Sequence, residues 1–413
     1  LISFFMIKDK FFKGKNLAIL SGGGDTSAIN ASIDSIRNRA SMLGYRVFGI
    51  RQGWKGLLGD GDIVDLTDQP YDGYYGGSAL RSSRTNPFSK NLNSEDRVSQ
   101  ILRNIKRYKI DVLVTIGGDD TNGAAKSLYE LEGIPVIGFP KTIDNDLRTH
   151  TSHNFDGVEI ESVICPGFPS AATRIEQFAS ILKTNAESHS RVMVMEVMGR
   201  DAGWLTGAGT FGGAAIALVP EIEMTKERKE LFFETVREKY SINDTLIISV
   251  SEGVKWYDDE TQKTEIVFAS SEKDEYGHAR LGGISGKIAT EITQKLKLQT
   301  RSQVTGYYPR GGRCYEYDRR LVSALADKVA DLLLRKDYGQ MPVMSKICQI
   351  EELEEYNCSS VDMSSIGNLS LPKEYYNEKT FTFTPAYNDF LSKIIGKPIN
   401  PHFYYDFPKI LPD

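Results

Sequence analysis

Two adjacent carboxylates follow two glycines at the end of an apolar run in the stretch 111-DVLVTIGGDDTNGAAKSL-128. Glycines after a strand let backbone N–H groups approach an anion, and the helix that follows adds its dipole. Asp119 and Asp120 therefore stand where a phosphate group would bind. A carboxylate beside phosphate is compatible with a bound divalent cation, so we first ask what these two side chains do there.

Three further apolar runs also end in residues that suit phosphate. The stretch 20-LSGGGDTSAIN-30 has a strand, a glycine turn and a helix start, although on its own it fits an ordinary tight turn equally well. The loop 76-GGSALRSSRTNPF-88 holds Arg81 and Arg84, and a planar guanidinium donates two hydrogen bonds to phosphate. The fourth stretch is 138-GFPKTIDNDLRT-149, with a lysine and two aspartates.

Together these residue types indicate phosphoryl transfer. That reaction needs a carboxylate near a metal ion, a carboxylate that receives the acceptor's proton, and cations on the moving group. The side chains that could supply these functions are Asp119, Asp144, Asp146, Lys141 and Arg84. Carboxylates in loops are most often turn formers, which explains one such loop easily but four together poorly.

The elements that must position these loops alternate along the first three hundred residues. Short apolar runs separated by segments of helical period predict parallel sheets covered on both faces. The predicted strands are 17-LAIL-20, 46-RVFGI-50, 112-VLVTI-116 and 134-IPVIGF-139, then 191-RVMVMEV-197, 214-AAIALVP-220 and 245-TLIISV-250. Two such sets predict two α/β domains, and ligands of open α/β sheets bind where the strands end.

Composition excludes several classes of function. The chain has 413 residues and a net charge of −5 with interspersed charges, so we expect neither a nucleic-acid surface nor a polybasic membrane patch. The four cysteines lack metal-type spacing, which favours a reducing cytoplasm and no structural zinc. Residues 1–15 read as a strand or a packed arm, and no run approaches the roughly 20 apolar residues of a membrane span.

Six strings in this sequence resemble those of the phosphofructokinase family. They are SGGGDTSAIN, GGDDTNGAA, PKTIDND, MEVMGRDAGW, SEG and YYPRGG, in the family's order. The resemblance implies two Rossmann-like, doubly wound α/β domains with the active site in the cleft between them. We divide the chain into a phosphate-donor domain (1–153 with 305–340), a fructose 6-phosphate domain (154–304) and a C-terminal extension (341–413). The resemblance does not cover the extension, expected to drape over the core, or 256–280, expected to be an exposed insertion.

The resemblance also implies a role for each matching residue. The reaction would transfer a phosphoryl group to the 1-hydroxyl of fructose 6-phosphate with the help of Mg²⁺. Gly23 would contact the donor's phosphates, Arg84 would stabilise the moving group, and Asp119 would hold Mg²⁺. Within TIDND, Asp144 would be the catalytic base, Thr142 would hydrogen-bond the moving group, and Asp146 would assist the base and the metal.

On the acceptor side, the resemblance implies that fructose 6-phosphate is bound by Met198, Gly199, Arg200, Glu252 and Arg310. Tyr307 stands where ATP-using bacterial members have histidine, which alters the hydrogen bonding to the sugar phosphate. Arg191 and Arg301 match arginines that the family lends across a subunit interface. A chain of this kind would therefore be at least a homodimer.

Two positions point to the donor. The strings GGDD and PKTIDND resemble pyrophosphate-dependent members, whereas ATP-using bacterial members resemble GGDG and PGTIDND. A carboxylate at Asp120 places bulk and negative charge where a nucleotide's α-phosphate would pass. Lys141 supplies an ammonium group to the leaving phosphate, although the same lysine occurs in some ATP-dependent relatives.

Three alternatives remain open at this point. The first is an ATP-dependent 6-phosphofructokinase. The second is a kinase of the NAD kinase-like or lipid kinase-like folds, which share a GGD string but lack a sugar-phosphate half. The third is a catalytically silent subunit that binds sugar phosphate, which would be free to lose the aspartates that this chain retains.

Overall fold

The structure is a computed structural model that describes residues 11–88, 96–149, 153–155, 158–160, 164–273, 276–277, 279–350, 353–368 and 370–397. Its larger sheet has seven strands in the order β18-β17-β5-β4-β1-β2-β3. These strands are β1 Asn16–Ser21, β2 Arg46–Ile50, β3 Ile63–Asp65, β4 Val112–Gly117, β5 Val136–Pro140, β17 Gln340–Ile350 and β18 Leu353–Asp362. The four central strands β5, β4, β1 and β2 are parallel, while β3 and β18 run antiparallel at the two edges.

A second sheet has four parallel strands in the order β10-β11-β9-β16. Its members are β9 Val192–Val197, β10 Ile216–Leu218, β11 Leu246–Ser251 and β16 Thr300–Val304. Every residue of β9 and β11 is buried, as is every residue of β4 in the larger sheet. Strands buried on both faces are a property of parallel sheets covered by helices, and this is why they appear in the sequence as continuous apolar runs.

Nine α-helices in the described part of the chain cover and connect the two sheets. They are α1 Ile29–Met42, α2 Arg97–Arg107, α3 Asp119–Glu132, α4 Phe168–Ser188, α5 Trp204–Phe211, α6 Lys226–Asn243, α7 Ile284–Leu296, α8 Glu316–Arg335 and α9 Pro385–Ile395. The predicted fold class is confirmed. None of these helices has the length and apolar character that a transmembrane segment requires.

Short strand pairs complete the described chain. The antiparallel pairs are β7 with β8, β12 with β13, β14 with β15, β19 with β6, and β20 with β21. Their bounds are β6 Leu147–Thr149, β7 His153–Phe155, β8 Val158–Ile160, β12 Lys255–Asp258, β13 Lys263–Ile266, β14 Phe268–Lys273, β15 Ala279–Leu281, β19 Ile366–Asn368, β20 Tyr376–Asn377 and β21 Thr382–Phe383.

The outcome differs among three predictions about the less regular parts of the chain. The predicted N-terminal arm falls largely on residues 1–10, which lie outside the described residues. The stretch 256–280 is not simply an exposed insertion, because Trp256 is buried against Phe232 and Phe233 of α6. The C-terminal extension is also more than a cover, because β17 and β18 continue the larger sheet beyond β5. The domain boundaries themselves stay a prediction.

A buried carboxylate joins α8 to the start of α4. Asp318 is fully buried and accepts hydrogen bonds from the backbone N–H groups of Gly167 and Ser170, at 2.7 and 2.8 Å. The first N–H groups of a helix have no partner within the helix, so this distant side chain satisfies them as a local capping residue would. Burial raises the pKa of Asp318, and the two backbone donors partly oppose that rise.

We expect Asp318→Asn to lower the free energy of unfolding by about 1–3 kcal/mol, because an amide NH₂ would face a buried backbone donor. The measurement is the denaturant midpoint of each variant. Asp327→Asn on the same helix is the matched control, since Asp327 is 66% exposed and its ion pair with Arg39 lies at the surface. Equal losses in both variants would contradict the capping role.

Candidate active site

The first glycine turn follows β1 and lies against the end of β4. The N–H of Gly22 donates to the carbonyl of Ile116 at 3.0 Å. A Cβ atom at Gly22 would lie 2.4 Å from Oγ1 of Thr121, so only glycine fits beside the start of α3. Gly23 has a φ of 79°, which is a left-handed conformation that glycine adopts without strain.

The adjacent aspartates occupy the first turn of α3, directly after Gly118 at the N-cap. A negative side chain is favourable there because the N-terminus of a helix carries partial positive charge. This interaction offsets part of the repulsion between the adjacent carboxylates of Asp119 and Asp120. Because α3 begins directly after β4, and Ile116 of β4 pairs with Ser21 at the end of β1, both aspartates lie beside the glycine turn.

The loop after β5 is held by its own hydroxyl group. Thr142 Oγ1 accepts a hydrogen bond from the backbone N–H of Asp144 at 3.0 Å and donates one to Oδ1 of Asp146 at 3.1 Å. Asn145 between them has a φ of 52° and accepts from the N–H of Cys165 at 2.9 Å. The ammonium group of Lys141 is buried and donates to the carbonyl of Gly24 at 2.7 Å, which joins this loop to the first turn.

The sugar-side residues follow the strands of the smaller sheet. Gly199 has a φ of 141°, and a Cβ atom there would lie 2.6 Å from the carbonyl oxygen of Ala202. The Nε of Arg310 lies 2.9 Å from Sδ of Met198 as a hydrogen-bond donor. The backbone N–H of Glu252 donates to the carbonyl of Val197 at 2.9 Å, so the ends of β9 and β11 are joined.

These loops enclose a cavity of about 260 Å³ at the carboxyl ends of the strands of both sheets. Most of the predicted site residues line it: Gly23, Arg84, Asp119, Asp120, Lys141, Thr142, Asp144, Asp146, Arg200, Glu252 and Arg310. A second cavity of about 470 Å³ adjoins it through Gly23, Gly24, Arg84 and Arg310. Tyr307 and Arg81 line this second cavity.

Burial sets the charge of the central groups. It raises the pKa of Asp146 to about 7 and that of Glu252 to about 7, and the nearby Asp144 carboxylate adds to both shifts. Burial also raises the pKa of Asp144, although the Arg310 guanidinium opposes the rise. The pKa of Lys141 is lowered to about 8, first by burial and then by Arg310. Titratable groups whose pKa values are shifted by burial and by one another are typical of functional sites.

Arg191 and Arg301 do not line either cavity of this single chain. Arg191 immediately precedes β9, whereas the sugar-side residues follow the other end of that strand. At about 3.3 Å per residue, the length of β9 places it roughly 20 Å from Met198. Arg301 pairs with Met193 near the same end. Their assignment to a neighbouring subunit's site stays a prediction.

The prediction missed six residues that line the 260 Å³ cavity: Gly24, Gly118, Thr121, Asp201, Tyr276 and Asn368. The first three lie within the SGGGDTSAIN and GGDDTNGAA strings, next to residues that were predicted. Asp201 directly follows the MGR string, and that position could have suggested it. Tyr276 comes from the segment 256–280 and donates its hydroxyl to the carbonyl of Thr85 at 3.0 Å. Asn368 comes from β19, far along the chain, and no local signal marks it.

Comparison with known proteins agrees with this geometry. The sequence model described as Phosphofructokinase matches residues 16–333. The chain is 37% identical over 328 residues to the pyrophosphate–fructose 6-phosphate 1-phosphotransferase of Amycolatopsis methanolica, covering 79% of this chain and 89% of that one. The chain belongs to the phosphofructokinase family. This membership accounts for the order of the six strings and for the strand ends at which they lie.

Other members of the phosphofructokinase family carry two kinds of name. The pyrophosphate–fructose 6-phosphate 1-phosphotransferase of Dictyoglomus thermophilum is 35% identical over 321 residues, covering 77% of this chain and 86% of that one. The ATP-dependent 6-phosphofructokinase 2 of Clostridium perfringens is 35% identical over 341 residues, covering 79% and 87%. Identity alone therefore does not separate the two donors.

The crystal structure of the pyrophosphate-dependent phosphofructokinase from Nitrosospira multiformis shares the fold, with a TM-score of 0.75 at 24% identity. The structural match covers 96% of this chain and 96% of the Nitrosospira chain. The likeness therefore extends beyond residue 333, where the family model ends, into most of the C-terminal extension.

We expect Asp146→Asn to stabilise the protein at pH 8 by about 4 kcal/mol in the absence of divalent cations and substrates, since each pKa unit corresponds to about 1.4 kcal/mol. Because the folded pKa of about 7 lies above the unfolded value of about 3.9, the stability that protonated Asp146 provides is complete below about pH 4, is lost as pH rises from about 4 to 7, and changes little above that. At pH 4 the variant and the parent should differ little. The measurement is the unfolding free energy in chelator at both pH values, and an equal effect at both would contradict the shift.

Proposed function

We propose that the chain transfers a phosphoryl group from pyrophosphate to the 1-hydroxyl of fructose 6-phosphate, giving fructose 1,6-bisphosphate and phosphate. The observation that carries the donor assignment is Asp120 in the cavity beside Asp119, with Lys141 facing the same space. The names of the Amycolatopsis and Dictyoglomus relatives support the assignment. The reaction is reversible, because pyrophosphate hydrolysis lies close in energy to that of the sugar ester, and it belongs to glycolysis and gluconeogenesis.

The donor side of the cavity supplies cations and backbone donors. Gly23 contacts the donor's phosphates with its backbone, while its N–H donates to the carbonyl of Ser83 at 3.3 Å and holds the turn against the Arg84 loop. The buried Lys141 ammonium lies next to the same turn. Lys141 neutralises the phosphate that leaves, and Arg84 stabilises charge on the phosphoryl group in transfer. A longer donor would have to pass Asp120, where bulk and like charge oppose a nucleotide's α-phosphate.

The side chains that line the cavity are suitable ligands for Mg²⁺. No group of three or more metal-ligating side chains is preformed in the part of the chain that the structure describes. Mg²⁺ does not require one, because it commonly takes one or two carboxylates with substrate phosphates and water. Asp119 would hold the ion, with help from Asp146 across the cavity. When bound, the ion neutralises charge that develops on the phosphate oxygens.

On the acceptor side, Asp144 takes the proton of the sugar's 1-hydroxyl while that oxygen forms its bond to phosphorus. The bond from phosphorus to the bridging oxygen breaks, and phosphate leaves. Among the described residues Oδ1 of Asp144 has no hydrogen-bond partner, so it can accept the substrate's hydroxyl. Arg200, Glu252 and Arg310 line the 260 Å³ cavity and bind the sugar phosphate there, and Tyr307 lines the adjoining cavity. Met198 and Gly199 line neither cavity; Met198 contacts Arg310 through its sulfur, and Gly199 directly precedes Arg200.

We infer that the working unit is at least a homodimer in the cytoplasm. Arg191 and Arg301 lie near the amino ends of β9 and β16, away from the chain's own sugar site. They could reach the sugar phosphate of a second chain instead. The Cys314 thiol is free and buried, which suits a reducing compartment.

An ATP-dependent 6-phosphofructokinase is the second candidate, since the Clostridium perfringens relative carries that name at comparable identity. We expect pyrophosphate to be turned over with Mg²⁺ and fructose 6-phosphate at a rate at least tenfold above that with ATP. Steady-state assays with each donor decide between the two. Comparable rates, or a preference for ATP, would rule out our assignment.

The role of Asp120 is tested by separating its charge from its bulk. Asp120→Asn removes the charge at nearly constant volume, and Asp120→Gly removes both. We expect the ratio of kcat/KM for ATP to that for pyrophosphate to rise in Asp120→Asn and to rise further in Asp120→Gly. An unchanged ratio in both variants would show that Asp120 does not exclude the nucleotide.

The lowered pKa of Lys141 predicts a pH dependence. As pH rises through about 8 the ammonium loses its proton, so kcat/KM for pyrophosphate should fall by about tenfold between pH 7 and pH 9. Lys141→Arg keeps a positive charge over this range and also controls for titration of the donor itself. A parent and a variant with the same pH profile would contradict the assignment to Lys141.

A further inference from the structure

The C-terminal extension returns to the loop that carries the predicted base. After β17 and β18, residues 363–365 form a short helical turn, and β19 then pairs antiparallel with β6. The register places Asn368 opposite Leu147, the residue that directly follows Asp146. A segment that the family strings do not cover is thus hydrogen-bonded to the strand that follows TIDND.

This pairing brings a neutral polar side chain into the active-site cavity. Asn368 is exposed and lines the 260 Å³ cavity together with Asp119, Asp144 and Asp146. A carboxamide both donates and accepts hydrogen bonds, whereas ionised carboxylates only accept them. Asn368 can therefore donate to a phosphate oxygen on the carboxylate-rich side of the cavity without adding negative charge.

The same segment forms one wall of a groove that leads away from the donor site. The groove has a volume of about 180 Å³ and runs along a single face of α3, defined by Asp119, Asn122, Gly123, Lys126 and Ser127. Its opposite wall consists of Met341, Met363 and Ile366. Asp119 lines both the groove and the 260 Å³ cavity, so the two are neighbours at the start of α3.

The groove, at about 180 Å³, is smaller than the 260 Å³ cavity that it adjoins. The apolar side chains of Met363 and Ile366 offer nothing to a phosphate chain that would extend past Asp119. Among the residues that line the 260 Å³ cavity, Asn368 is the one that the extension supplies.

We propose that Asn368 is a donor-binding residue whose carboxamide donates a hydrogen bond to an oxygen of pyrophosphate beside Asp119. Beyond this contact, the wall of Met341, Met363 and Ile366 ends the donor site. The identity of the donor in this inference rests on the function proposed above. The extension is thereby a part of the active site, because β19 can hold Asn368 there only while it is paired with β6.

The test is direct binding of magnesium methylenediphosphonate, an analogue of pyrophosphate whose bridge is not cleaved, measured by isothermal titration calorimetry. We expect Asn368→Ala to raise the Kd of the analogue about tenfold, since a hydrogen bond to a charged group is lost. Asn368→Asp should raise it further, because an additional carboxylate would face the phosphate in a cavity already lined by Asp119, Asp144 and Asp146 among other carboxylates. In steady-state assays KM for pyrophosphate should rise while KM for fructose 6-phosphate stays unchanged.

Ser364→Ala is the matched control, because Ser364 is exposed on the turn that precedes β19. It should bind the analogue as the parent does. The inference is overturned if Asn368→Ala binds the analogue with the parent's affinity. It is also overturned if the variant binds the analogue and fructose 6-phosphate equally more weakly and unfolds at a lower temperature, because the change is then structural. In both cases pyrophosphate turnover by the parent stands. If the parent itself does not bind the analogue but uses ATP, the proposed function fails and the inference fails with it.

Discussion

Several carboxylates must share one buried cleft with the phosphate groups they serve, and the rest of the structure depends on how that charge is accommodated. Asp144, Asp146 and Glu252 lie close enough for Asp144 to raise the pKa of the other two. Burial alone would favour their neutral forms. Arg310 and Lys141 oppose the shift at Asp144, and the positive end of α3 favours charge at Asp119 and Asp120.

Such an arrangement needs a rigid support, and the strand ends of two parallel sheets provide it. The glycine turn follows β1, the two aspartates follow β4, and the base loop follows β5. The sugar-side residues follow β9 and β11. Hydrogen bonds between loops, such as that from Lys141 to Gly24, fix their relative positions. The sheets therefore gather groups that are distant in sequence mostly through short loops, whereas Arg84 comes from the long connection between β3 and α2.

The sequence was sufficient to predict those elements because their signals are local. Strands such as β4 and β9 are buried on both faces, so they appear as unbroken apolar runs, and the strings that follow them have the residue types of phosphate chemistry. Asn368 and Tyr276 could not be found in this way. They reach the cavity through strand pairing and a hydroxyl contact made across long separations, at Leu147 and Thr85, and neither partner is marked by composition. The burial of Trp256 depends in the same way on distant packing against α6.

The direction of the strands also explains why Arg191 and Arg301, which the family resemblance assigns to a sugar site, lie far from the sugar site of their own chain. In a parallel sheet the carboxyl ends of all strands lie on the same side, so a residue that precedes a strand must lie on the opposite side. Arg191 precedes β9, and Arg301 pairs with Met193 at the same end of the sheet. β16 is also an edge strand, and from Arg301 to Val304 it is exposed. An exposed edge strand such as β16 can contact a second chain. Such a contact would let Arg191 and Arg301 reach the sugar site of that second chain, which their own chain's geometry does not allow.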